Sequence, residues 1–308
     1  MAACEKFLFS STAGPLLEAK WWKPEGKPRA VVQLVHGMAE HIGRYEKLAR
    51  MLTAADFAVV GHDQLGHGPR AQVKGFFADR DGWQHLIDDV QRLRGIAQEQ
   101  YPVVPYILLG HSMGSFVTRC CAAEHGEGLA GVILCGTGSL PEGTLKAGAA
   151  AAKLISLLGG RKKPSNFLHG AGFGGMNRHF RPVRTDWDWL SRDAAEVDKY
   201  VADSNCGFVF TAGGFGDLFR GMRRIAAPES FRGVPKELPL LLISGDRDPV
   251  GGMGRDVERI AQAYRDAGMT RVQARLYPEA RHELFHELDS ARAMRDVVIF
   301  IEEILKSA

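Results

Sequence analysis

Three short stretches of this chain carry residue types that can make and break a covalent bond. The first is Gly110-His111-Ser112-Met113-Gly114, which closes the apolar run 106–109. A serine held between glycines at this spacing suits a sharp strand-to-helix turn. The hydroxyl projects from the strand end, and the glycines leave room for it. The N–H of Met113, at the start of the following helix, can face a developing oxyanion. The second stretch, Asp246-Arg247-Asp248-Pro249-Val250, follows the apolar run 240–245. The third, ending in Arg281-His282-Glu283, follows a strand pattern over 272–277. A serine nucleophile needs a base, and the base needs an orienting acid. Ser112, Asp248 and His282 supply them in that order, each after a strand. Asp248 is preferred as the acid because it sits deeper in its loop and Pro249 fixes the backbone behind it. Asp246 is the fallback; it can instead cap the turn or pair with Arg247.

A second oxyanion donor is read at His36-Gly37-Met38, after the apolar run 30–35. Gly37 permits the turn, and the Met38 N–H would point inward beside that of Met113. Glu40, Arg44 and His111 would then line the polar, substrate-binding end of the pocket. For Glu40 and Arg44 a local ion pair at a helix start is an equal alternative.

These residues need elements to position them. Two antiparallel strands are expected over 7–9 and 16–22, joined by the turn 12–15. Near-continuous apolar runs at 30–35, 57–60, 106–109, 131–135 and 240–245 read as strands buried on both faces. Helical spacing is read over 47–55, 83–100, 257–267 and 290–306. Strands alternating with helices predict an α/β fold, a doubly wound, mostly parallel sheet of eight strands. In such sheets ligands bind beyond the strand C-termini, where all three stretches lie. Residues 136–237 break the alternation and read as a helical lid inserted in a core formed by 1–135 and 238–308. Within it, 147–158 is an apolar helix. Packed inward it is core; facing outward it suits a lipid-like substrate or transient contact with a membrane surface.

Composition narrows the function class. The net charge is +3 over 308 residues with no dense basic stripe, which argues against a nucleic-acid partner. Five cysteines without a CxxC read as reduced structural thiols, and residues 1–6 lack a signal-peptide pattern, so a cytoplasmic protein is expected. The chemistry read here needs neither cofactor nor metal.

The stretches 36–45, 61–68, 110–114, 244–251 and 281–283 together resemble the monoacylglycerol lipase and lysophospholipase branch of the α/β-hydrolases, often labelled serine aminopeptidase-like. Within the lid, 189–193 with 196–198 looks similar to the same branch. The resemblance covers nearly the whole chain. It implies an acyl-enzyme mechanism on small-molecule esters, with Ser112 as nucleophile, His282 as base, Asp248 as acid, and the Met38 and Met113 N–H groups as oxyanion donors. General carboxylesterase and proline iminopeptidase-like activities are the alternatives. The latter needs lid carboxylates for a substrate amine, with Glu196, Asp198 and Asp203 as candidates. His282-Glu283-Leu284-Phe285-His286 is also a literal H-E-x-x-H zinc pattern, with Glu302 or Glu303 as third ligand. It requires both histidines on one helical face, whereas His282 is expected in a loop. A second metal reading, at His62, Asp63 and His67, is weaker than a Gly-rich loop beyond a strand end. A non-catalytic module of this fold would usually lack part of the triad.

Overall fold

The computed structural model describes residues 3–307; Met1 and Ala2, part of the stretch read for a signal peptide, lie outside them. Eight strands form one sheet: β1 (Ala3–Ser10), β2 (Leu16–Lys23), β3 (Ala30–Val35), β4 (Phe57–His62), β5 (Tyr106–His111), β6 (Gly131–Cys135), β7 (Leu240–Gly245) and β8 (Val272–Tyr277). Their order across the sheet is β1-β2-β4-β3-β5-β6-β7-β8. Pairing is antiparallel at β1–β2 and β2–β4 and parallel from β4 through β8. The expected eight-stranded, doubly wound sheet is the one observed.

Side-chain alternation assigns the two faces. Val31, Val60, Leu108, Leu134 and Leu242 join one core. Val32, Val59, Ile107, Ile133 and Ile243 join the other. Because both faces are covered, these strands are apolar at most positions, which is why they read as near-continuous runs. Helices α1 (Glu46–Ala54) and α10 (Ser290–Ser307) cover the second face. Helices α2 (Gly82–Gln100), α3 (Met113–His125) and α9 (Arg255–Asp266) cover the first.

Between β6 and β7 run α4 (Glu142–Gly159), α5 (Asn166–Phe173), α6 (Ala194–Ala202), α7 (Ala212–Ala226) and α8 (Pro228–Arg232). Helix α4 is longer than the apolar stretch 147–158 and faces both ways. Leu145 and Ala152 enter the core, while Leu154, Leu157 and Leu158 are 57%, 74% and 81% exposed. Helix α7 is largely buried. A Cβ at Gly221 would collide with the Trp83 indole, so α7 and α2 approach closely there. No helix among the described residues is long and apolar enough to cross a membrane.

The order of strands explains the meeting of distant loops. After β3 the chain lays β4 on one side and then β5 on the other, so direction reverses between β3 and β5. The crevice at such a reversal is where the loops after two adjacent strands splay apart. Val35 pairs with Gly110, which puts Gly37-Met38 directly beside Ser112.

Candidate active site

Ser112 sits at the tip of the turn between β5 and α3 with φ 50° and ψ −122°. Few non-glycine residues adopt this backbone, and it survives only where the surroundings over-determine it. They do so here. The Ser112 N–H donates to the Cys135 carbonyl at 2.9 Å, and its carbonyl accepts from the Ser115 N–H at 2.8 Å and the Ser115 hydroxyl at 2.6 Å. A Cβ at Gly114 would strike the Val35 and His36 carbonyl oxygens, so α3 can start against β3 only with glycine there.

His282 lies on the loop after β8 and reaches back across β7 and β6. Its Nδ1 is 2.9 Å from Oδ2 of Asp248, and both side chains are buried. The carboxylate has only lone pairs to offer, so Nδ1 carries the proton and donates. Asp248 is itself oriented. Oδ1 accepts from the Val250 N–H at 2.8 Å, and Oδ2 accepts from the Ser244 hydroxyl at 3.2 Å. His282 Nε2 has no hydrogen-bond partner among the described residues. The Trp189 ring centroid lies 5.1 Å from that of His282. Asp246 takes the other role considered for it: it accepts from the Glu279 N–H at 2.7 Å on the exposed surface, capping the turn after β8, while Arg247 pairs with Glu279 at 3.0 Å.

The loop after β3 is tied on every side of Met38. The Gly37 N–H donates to Glu40 Oε1 at 2.5 Å, and the Gly37 carbonyl accepts from His36 Nδ1 at 2.8 Å. The Ala39 N–H donates to His67 Nε2 at 3.2 Å. The Ala39 carbonyl accepts from the Tyr200 hydroxyl and the Gly207 N–H, both at 2.9 Å. Among the described residues neither the Met38 N–H nor the Met113 N–H donates to the protein. Both donors are thus held by their neighbours yet remain available to a ligand oxygen.

Beneath the loop lies a buried charge network. Glu40 accepts from the Tyr45 hydroxyl at 2.8 Å and sits 3.2 Å from His111 Nδ1. Arg44 reaches Glu40 at 2.8 Å and clasps Glu283 with two bonds of 2.6 and 2.7 Å. Burial opposes the Glu40 charge, but the His111 hydrogen bond and the Arg44 charge outweigh it and hold the carboxyl well below its usual range. Burial likewise opposes the His111 cation, and the Glu40 carboxylate reverses the balance and raises its pKa. Glu40 and His111 line the pocket with Ser112. Arg44 does not. Two carboxylates claim its guanidinium, which lies 4.8 Å from the Tyr200 ring centroid. Of the two readings of Arg44, pocket lining and an ion pair with Glu40, the structure has the ion pair and adds Glu283 to it; leaving two buried carboxylates unpaired would cost more than a pocket-lining guanidinium could return.

The pocket is a narrow cavity of about 30 Å³, whose wall includes Ser112, His282, Met38 and the aromatic rings of Phe173, Trp187, Trp189 and Phe208. A wider cavity of about 930 Å³ shares His169, Phe173, Trp187 and Trp189 with it. The inner end is polar and the outer wall aromatic, a shape for an amphiphile. Trp189, Tyr200 and Glu283 escaped the sequence reading as parts of this site. Glu283 directly follows His282 in the stretch that carries the base, but nothing in the spacing gives it a role of its own at the pocket.

The alternative chemistries find different geometry. His282 and His286 do not face one another. His286 Nε2 donates to the Arg44 carbonyl at 3.0 Å from a short 3₁₀ turn at Leu284–His286. His67 bonds the Ala39 N–H and Asp63 the Ile42 N–H at 2.8 Å. Among the described residues one trio, His41, Asp203 and Cys206, brings three potential metal-ligand atoms within 4.8 Å. There both ring nitrogens of His41 are engaged, by Asp203 at 2.8 Å and the Gly43 N–H at 3.2 Å, and burial pushes the Cys206 thiol pKa up. The carboxylates considered for a substrate amine are also taken. Glu196 pairs with Lys199 at 2.6 Å, Asp198 with Arg184 at 2.8 Å and Asp203 with His41.

Comparison with known proteins agrees with this architecture. Residues 26–289 match the family described as serine aminopeptidase, S33. Monoglyceride lipase of Mus musculus is 31% identical over 293 residues, covering 90% of this chain and 86% of that protein. Monoacylglycerol lipase of Mycolicibacterium smegmatis is 28% identical, covering 95% of each. The crystal structure of a thermostable carboxyl esterase from Bacillus coagulans, in complex with glycerol, superposes with a TM-score of 0.92 at 31% identity, over 99% of this chain and 100% of that one.

Proposed function

The chain belongs to the serine aminopeptidase, S33 family and is a carboxylic ester hydrolase, and on that premise we propose that Ser112, His282 and Asp248 cleave monoacylglycerol-type lipid esters. The observation that carries the role assignment is His282. Its Nδ1–H is spent on Asp248 and its Nε2 is unengaged, in the pocket that Ser112 lines. His282 Nε2 takes the Ser112 proton as Oγ attacks the ester carbonyl. The Met38 and Met113 N–H groups receive the oxyanion. His282 then protonates the leaving alcohol; in deacylation its Nε2 takes a proton from a water that attacks the acyl carbonyl and returns it to Ser112 Oγ as the C–O bond to the enzyme breaks and the fatty acid leaves.

The substrate class follows from the walls. Aromatic rings suit an acyl chain, and Glu40, His111 and Glu283 give the inner end acceptors and donors for a glycerol hydroxyl. Residues 136–237 act as the cover of this pocket. The exposed Leu154, Leu157 and Leu158 of α4, with Phe167 of α5 (70% exposed), support its contact with a lipid surface. Five free thiols support a reducing, cytoplasmic setting.

The test is hydrolysis of p-nitrophenyl esters of rising chain length, then of monoacylglycerol against lysophosphatidylcholine, by the wild type and Ser112→Ala. Activity that peaks at medium or long chains, prefers monoacylglycerol and disappears in Ser112→Ala is expected. Activity confined to acetate and butyrate would replace the lipid reading with a general carboxylesterase. Activity that survives Ser112→Ala would sink the triad.

A further inference from the structure

We propose that the groove between α4 and α7 binds the phosphate headgroup of an anionic phospholipid and so seats the cover of the Ser112 pocket on a negatively charged lipid surface. The proposal rests on the lipid-ester reading above and adds a site remote from the catalytic residues. The groove is a cavity of about 550 Å³ whose walls carry Lys146, Lys153, Arg161, Arg220 and Arg223. Positions 146 and 153 lie two turns apart on one face of α4, and 220 and 223 lie one turn apart on α7. The floor between them is made of small residues, such as Ala149, Ala212 and Gly216. Small side chains there keep the space open while the long cationic stems rise around it.

The charge is not neutralised from within. Lys146 pairs with Glu142 at 2.7 Å. Arg220 and Arg161 share the single buried carboxylate of Asp217. Lys153 has no hydrogen-bonded or ion-paired partner among the described residues, and Arg223 has none beyond the longer-range attraction of Glu142, which Lys146 already pairs. Five cations therefore face two carboxylates, and the excess is positive.

What distinguishes a lipid headgroup from a soluble phosphate is the apolar edge. Leu157 lines the groove and is 74% exposed, and Leu154 and Leu158 stand exposed on the same helix. A free anion gains nothing from those side chains. A phospholipid places its phosphate among the cations and its acyl region against the leucines.

The experiment is flotation of the full chain with two kinds of vesicle. One is phosphatidylcholine alone; the other is three parts phosphatidylcholine to one part phosphatidylglycerol. The double variant Lys153→Gln/Arg223→Gln removes two unpaired groove cations. The double variant Lys27→Gln/Arg295→Gln removes the same charge from exposed positions elsewhere. The wild type should prefer the phosphatidylglycerol vesicles. Affinity should fall roughly fivefold per groove cation removed, hence about 25-fold in the groove variant, and by far less in the control. Hydrolysis of soluble p-nitrophenyl butyrate should be equal in all three proteins. Equal losses in the two double variants would reduce the effect to net charge and overturn the site. Equal binding of the wild type to both vesicles would overturn it too, while leaving apolar docking of the cover intact. Inorganic phosphate that raises the melting temperature of the wild type but not of the groove variant, with no vesicle preference, would make a soluble anion the occupant. Failure of the esterase reading shows separately, as absent p-nitrophenyl butyrate hydrolysis.

Discussion

Replacing Asp248 by Asn tests the proposed triad at its most informative atom, because the geometry dictates how the amide must sit. In the native site Oδ1 accepts from the Val250 N–H at 2.8 Å, and Oδ2 faces His282 Nδ1 at 2.9 Å and the Ser244 hydroxyl at 3.2 Å. An asparagine with its NH₂ at the Oδ1 position would set two donors against each other in a fully buried spot, at a cost of about 1–3 kcal/mol. The other orientation keeps the Val250 bond and turns the NH₂ toward His282. Nδ1 must then accept, the imidazole proton moves to Nε2, and the nitrogen that should receive the Ser112 proton is already protonated. A serine triad locked in the wrong tautomer loses about 10⁴ in kcat, or roughly 5 kcal/mol of transition-state stabilisation. The exchange is isosteric, so stability in urea should change by about 1 kcal/mol or less. The assay is kcat and kcat/KM for p-nitrophenyl butyrate, with ¹⁵N-histidine NMR to read the tautomer. Asp246→Asn, which touches only the surface turn at Glu279, should stay within about twofold of wild type. The reasoning is refuted if Asp248→Asn keeps kcat within tenfold, or if Asp246→Asn causes the larger loss.

Three further outcomes are expected. Arg44→Met leaves the buried Glu40 and Glu283 carboxylates without their cation and should cost about 3–5 kcal/mol in urea denaturation; a change confined to KM with stability intact would restore Arg44 as a substrate-binding residue. Tyr200→Phe removes the hydroxyl that holds the Ala39 carbonyl and should lower kcat severalfold, about the worth of one hydrogen bond, with little change in melting temperature; an unchanged kcat would detach Tyr200 from the oxyanion loop. His62 is buried with neither ring nitrogen partnered among the described residues, and burial lowers its pKa to about 3. The unfolded chain takes up that proton near pH 6.5 and the native state does not, so stability falls as pH drops from about 6.5 toward 3, by about 1.4 kcal/mol per unit for this residue. His62→Leu should therefore lose about 2 kcal/mol less than the wild type between pH 7 and pH 5, and equal acid sensitivity would contradict the assignment.

The features legible in the sequence are those that local physics enforces. Strands β3 to β7 are buried on both faces, so most of their positions are apolar, and the runs announce themselves; the buried Gln33 is an exception that hydrogen bonds from Tyr106 and to Val90 satisfy. The glycines around Ser112 are required within a few residues of it. The strand-end positions of Ser112, Asp248 and His282 follow from runs immediately upstream of each. The choice of Asp248 over Asp246 rests on a local argument too, loop depth and Pro249; in the structure Asp248 is the one that lies within hydrogen-bond distance of His282.

Other features depend on partners that the chain order hides. Arg44 was legible only as a neighbour of Glu40, four residues away, and its stronger partner Glu283 is 239 residues distant. The H-E-x-x-H pattern was present letter for letter, and the backbone decided its fate: a loop and a 3₁₀ turn give His282 to Asp248 and His286 to the Arg44 carbonyl. Helix α4 was apolar by composition, but its division into a core side at Leu145 and Ala152 and an exposed side at Leu157 and Leu158 was set by the position of α7. Nor could spacing show that Tyr200 and Gly207, from the segment between β6 and β7, hold the loop that carries Met38. The sequence by itself determined which residues can react and which segments must be buried, because those depend on side-chain chemistry and nearest neighbours. The tertiary structure decided which charges neutralise one another and which donors stay unpaired, because those depend on how the sheet order and helix packing fold distant segments against each other.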